Sequence, residues 1–167
     1  MCIRNHRGMF VKAATIWYEG KPLPREAEAV GLRDAIPWLG RLGLSKVLIE
    51  LDCKLVIDSI FYRNSNQAEF GSIISECRSL LKHYSNFKIS FVMRQANFVA
   101  HTLARASRLN ARYQEFDLIP SCIETIARNE IMSFCSSKKS VVRQTLLYVS
   151  VFLRVFIIKE TLIVFVP

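Results

Sequence analysis

The first seventeen residues carry apolar, partly β-branched runs at Met9-Phe10-Val11 and Ala14-Thr15-Ile16-Trp17. With the preceding residues they predict two strands, 1–5 and 9–17, folded about a His6-Arg7-Gly8 turn. A loop follows at 19–24, marked by glycine and two prolines. From Arg25 apolar residues recur at Ala27, Leu32, Ala35, Ile36, Leu39 and Leu42, which is helical spacing closed by Gly43. Pro37 interrupts that pattern, and an interior proline predicts a kink or an early stop. The run Lys46-Val-Leu-Ile-Glu-Leu-Asp52 suits a central strand, and 54–61 returns to helical spacing. A polar loop at 63–67 precedes an amphipathic helix over 70–84, a strand over 87–93 and a last helix over 97–109. Hairpin, helix, strand, helix, helix, strand, helix is the order of an α/β sheet covered by helices.

Beyond Ala111 the character changes. An amphipathic stretch reaches about Ile131, a polar segment spans 133–140, and the end is apolar. The expected organisation is a domain over 1–110, an extension over 111–131 and a non-domain hydrophobic tail over 132–167. Thr145 to Ile158 is shorter than the ~20 residues a bilayer span needs and carries Arg154, so no membrane anchor is expected. Left exposed, such a tail is an aggregation hazard.

Composition narrows the class of partner. The 167 residues include 23 basic and 14 acidic side chains, for a net charge of +9, and residues 1–110 hold 16 of the basic and 9 of the acidic ones. A basic globular part favours a polyanion over an acidic or neutral surface. The five cysteines are odd in number, scattered, and without C-x-x-C pairs or histidines at ligand spacing. That argues against a disulfide framework and a structural zinc site. No secretory signal core opens the chain, so an intracellular location is expected, nucleus and cytoplasm both remaining open.

Four segments carry candidate chemistry: Arg4-Asn-His-Arg-Gly8 at the hairpin turn, Ala27-Glu28-Ala29 through Ala35-Ile36 on the first long helix, Val47 through Asp52 at a strand end, and Arg94-Gln-Ala-Asn97-Phe-Val-Ala-His101-Thr-Leu-Ala104 opening the last helix. In this order and context they resemble the ribonuclease H-like superfamily. The likeness is to the plant retroelement-derived branch, found at the end of non-LTR reverse transcriptases and as stand-alone proteins. It covers residues 1 to about 110. The resemblance implies a mixed sheet flanked by helices, a monomer, an RNA–DNA hybrid or other nucleic acid as partner, and no small-molecule cofactor. It also implies hydrolysis of the RNA strand with Mg²⁺ or Mn²⁺. Hard divalent ions take oxygen ligands, and two of them about 3.5–4 Å apart can activate water and stabilise the leaving oxygen of a phosphodiester.

By that resemblance Glu28 and Asp52 are metal ligands and catalytic residues, and His101 stands where other members place a fourth acid. Each has an ordinary alternative. Glu28, or equally Glu26, complements the helix dipole. Asp52 stands where a helix N-cap would, and His101 packs as a helix residue. Asn97 fits the N-cap of the last helix. Arg94 and Arg105, with Asn97, are the expected nucleic-acid contacts, or else members of a scattered solvated set.

The pattern departs from the family at the front. The first strand and its Asp would precede Met1, so the first strand is expected to be missing, the copy N-terminally truncated, and the neighbouring central strand left as an unpaired edge. Three functions then compete: a hybrid ribonuclease using Glu28 and Asp52, a nucleic-acid-binding module without turnover, and a retroelement remnant whose tail prevents stable folding.

Overall fold

The computed structural model describes residues 1–20, 22–62, 68–106, 112–136 and 147–150. Strands β1 (Cys2–Arg4) and β2 (Phe10–Thr15) form the expected hairpin, with Gly8 at φ 76° in its turn, a conformation that favours glycine. Helix α1 (Pro24–Arg41) opens with Pro24 in its first turn, while the Leu23 amide donates to the Glu26 carboxylate at 2.9 Å. It does not stop at Pro37. The flanking Ile36, Trp38 and Leu39 are at most 1% exposed, so burial on both sides of the proline holds the helix through the lost backbone bond.

Then come β3 (Val47–Leu51), α2 (Lys54–Phe61), α3 (Ala68–His83) and β4 (Phe87–Phe91). A 3₁₀ turn (Arg94–Asn97) leads into α4 (Phe98–Ala106), so the last predicted helix starts through a tighter turn, and 107–110 lie outside the described residues. Two strands fall where none is predicted. Within the extension, β5 (Gln114–Phe116) precedes α5 (Ser121–Ser136), and β6 (Leu147–Ser150) lies in the apolar stretch near the end.

The six strands form one sheet in the order β4-β3-β6-β1-β2-β5. Two pairs follow from local connections, β1 with β2 antiparallel and β3 with β4 parallel through the α2–α3 crossover, whereas β2 with β5, also antiparallel, joins segments distant in the chain. The centre corrects the expectation of an unpaired edge. β6 pairs antiparallel with β1 and parallel with β3, so both of those edges are covered by the same late segment. The fold is the α/β, helix-flanked mixed sheet that the pattern predicts.

Burial follows the strand pleat. Ile3 and Ala14 join Val47, Ile49 and Leu51 under α1, α2 and α3, in a cluster that includes Leu32, Trp38, Ile74 and Cys77. Cys2 and Ala13 face the other way, against Val99 and Leu103 of α4 and Ile123 of α5. The sheet is a middle layer, and β3 delivers its carboxyl end to the rim between the two helical layers. Among the described residues no helix is long and apolar enough to cross a membrane.

Candidate nucleic-acid and metal site at the end of β3

Parallel strands collect ligands at their carboxyl ends, and β3 ends at Leu51 with Asp52 immediately beyond. The capping alternative for Asp52 does not hold, because Cys53 occupies the N-cap of α2 and no side-chain cap is made there. The Asp52 Oδ1 instead accepts a hydrogen bond from Asn97 Nδ2 at 3.1 Å. Asn97 is fully buried at the end of the 3₁₀ turn. Its amide therefore joins the β3 terminus to the start of α4, a role distinct from the helix cap its position suggests.

Glu28 approaches from the opposite layer. Glu26 already serves the start of α1, whereas Glu28 lies between Ala27 and Ala29 on the buried face and is only 8% exposed. The two carboxylates act on one thiol. Burial pushes the Cys53 thiol up from its ordinary value, and the negative charges of Glu28 and Asp52 push it the same way. Cys53 is the member of this neighbourhood that sequence reasoning missed. Its only signal is adjacency to Asp52.

His101 is 8% exposed on α4 and lies within 3.4 Å of Arg94, Nη2 to Nε2. A guanidinium can only donate, so this contact requires an unprotonated His101 Nε2. The Phe98 ring lies 6.4 Å from that of His101, centroid to centroid. Asn97, His101 and Arg105 follow at four-residue steps, one helical stripe. Arg94 and Arg105 are exposed at the two ends of this segment. The structure thus pairs Asp52 with Asn97 and Arg94 with His101, the two pairs sharing the 3₁₀ turn and the start of α4. Arg105 extends the same stripe toward solvent.

For a divalent cation, the oxygen donors of this neighbourhood are the carboxylates of Glu28 and Asp52. Mg²⁺ is commonly held by one or two carboxylates with water completing the shell, so the set fits one ion. Among the described residues no group of three His, Cys, Asp or Glu side chains is placed to hold a metal. Two ions bridged by shared carboxylates would require more acids than these two supply. An imidazole adds little for magnesium. Carboxylates would suit a hard cation and guanidinium groups a phosphate oxygen.

The sequence profile described as reverse transcriptase-like matches residues 1–107. No curated protein and no solved structure matches the chain.

Proposed function

The chain belongs to the reverse transcriptase-like family of ribonuclease H-like domains, and from that premise we propose that it binds RNA–DNA hybrid at the rim where β3 meets α4. The observation that carries this reading is the Asn97–Asp52 bond, which fixes an acidic strand end against a segment bearing Arg94, His101 and Arg105. The arginines contact phosphates, and the +9 charge draws the polyanion in. Glu28 and Asp52 hold one Mg²⁺ or Mn²⁺ between protein and backbone. The four motif segments support descent from a non-LTR retroelement domain.

A second reading, hydrolysis of the RNA strand, is favoured by the burial of the Glu28 carboxylate and by the Asn97 amide held on Asp52. The bound ion would supply Lewis-acid polarisation of the phosphodiester. In this reading Asn97 keeps the Asp52 carboxylate oriented, and the Arg94–His101 pair lies one turn along the same segment.

One experiment addresses both. Full-length protein is titrated into end-labelled hybrid at several salt concentrations with EDTA, then incubated with Mg²⁺ or Mn²⁺, with Asp52→Asn and Arg105→Ala alongside. Binding is expected to weaken as salt rises, and Arg105→Ala to reduce the slope of log affinity against log salt by about 1. Salt-insensitive or undetectable binding by the folded protein rejects the proposal. Cleavage that disappears in Asp52→Asn establishes the second reading, whereas binding without cleavage leaves the first.

A further inference from the structure

The centre of the sheet is assembled from distant parts of the chain. β1 and β3 do not pair with one another. Each pairs with β6, through Cys2↔Ser150, Ile3↔Val149 and Arg4↔Tyr148 on one side and Val47↔Leu147 through Glu50↔Ser150 on the other. β6 begins forty residues past the end of the family match at 107. Every other strand except β5 lies inside that match. A four-residue segment from outside the matched region therefore joins the β4-β3 pair to the β1-β2-β5 group.

The two rims of the slot also meet through contacts that do not involve β6. Strands two places apart in a sheet lie about 9.5 Å from one another, which leaves room for one strand. Across that gap Arg4 Nη2 meets Glu50 Oε2 at 3.4 Å, with side chains 16% and 17% exposed. On the other face, Ile3 of β1 and Ile49 of β3 are both fully buried in the cluster beneath α1. The rims are thus tied by an ion pair on one side and by the apolar core on the other. Two sets of main-chain donors and acceptors line the gap, and left unsatisfied they would be costly in a buried setting.

We propose that the gap between β1 and β3 is a strand-binding site, for which the protein supplies its own ligand, residues 147–150. The ligand class is an extended Leu-Tyr-Val-Ser-like segment. It is recognised through main-chain hydrogen bonds on both edges and runs antiparallel to β1 and parallel to β3. Strand addition of this kind normally uses one exposed sheet edge. Here two edges are used at once, so direction and register are both specified.

The test is cross-linking in the full-length chain. Cys2 lies in register with Ser150, so Ser150→Cys is expected to form a disulfide with Cys2 under mild oxidation. Adjacent antiparallel pairs alternate between Cα separations of about 5.5 and 4.5 Å, both inside the usual disulfide range. Ile3→Cys with Val149→Cys therefore samples the alternative geometry. Peptide mapping of mixed light- and heavy-isotope protein assigns each link to one copy or two. A link within one copy supports the proposal with the donor in cis. A link between copies supports the same site with the strand exchanged. Absence of a link at both pairs overturns it. Hydrogen exchange of the unmodified protein is an independent reading. The amides of 147–150 should be protected at least as strongly as those of β1, and exchange within seconds overturns the proposal whatever the variants do.

Discussion

The two helical layers of this domain do different work. Among the described residues, twenty buried side chains form the cluster beneath α1, α2 and α3, while five form the one beneath α4 and α5. Among the described residues, the layer of α1, α2 and α3 supplies Glu28 and most of the apolar burial. The layer of α4 and α5 carries Asn97, His101 and Arg105, with Arg94 in the turn before them, the segment proposed to meet nucleic acid. Stability and recognition are thereby largely assigned to opposite faces of one sheet, and β3, with Asp52 at its end, is where they meet.

This division is broken most directly by truncating one leucine in each layer. Leu32→Ala beneath α1 is expected in the upper part of the range of about 2–5 kcal/mol for such changes, and Leu103→Ala of α4 in the lower part, because a thinner layer relaxes around the cavity. Chemical denaturation measures both, and equal losses would dissolve the distinction. A smaller effect sharpens it. Asn97→Ala removes a hydrogen bond to a carboxylate, a contact of about 1.5–3 kcal/mol, and should weaken hybrid binding beyond what its stability loss explains. Anisotropy at a temperature where both proteins are folded makes that comparison.

The smallest effect concerns a tie from the layer of α1, α2 and α3 to the sheet edge. The Tyr113 hydroxyl, Trp38 Nε1 at 3.0 Å and the Lys12 ammonium hold the Glu115 carboxyl below its ordinary range. A depressed carboxyl contributes stability above its unfolded pKa and loses it as pH falls through its folded pKa. Glu115→Gln should therefore lower the melting temperature slightly at pH 7, and the gap to the parent should close as pH drops below the ordinary carboxylate range. A pH-independent gap would assign the effect to packing around Trp38.

The elements with a period were legible in the sequence. The hairpin, α1, β3, α2, α3, β4 and α4 each show a spacing of apolar residues long enough to identify. β5 and β6 are about as short as β1 but have no tight turn joining them to a neighbouring strand, and what makes them strands is a partner far away in the chain. The same limit applied at the site. The family resemblance singled out Asp52 and Glu28, and the pattern itself supplied only the strand end before Asp52 and the buried helical face of Glu28. Asn97 looked like a cap because capping is a local property, whereas its bond to Asp52 spans 45 residues. The early stop that Pro37 suggested does not occur for a related reason, since its local cost is offset by tertiary burial of its neighbours.

The position of β6 also sets a clock on biosynthesis. β1 and β3 emerge early, yet the strand that lies between them is translated roughly a hundred residues after β3. At typical elongation rates of ~5–20 residues per second, that interval is about 5–20 s. Throughout it the nascent chain presents two open strand edges facing one gap. A segment able to add a strand to those edges would compete with residues 147–150 in that interval, before the protein's own last strand has been made.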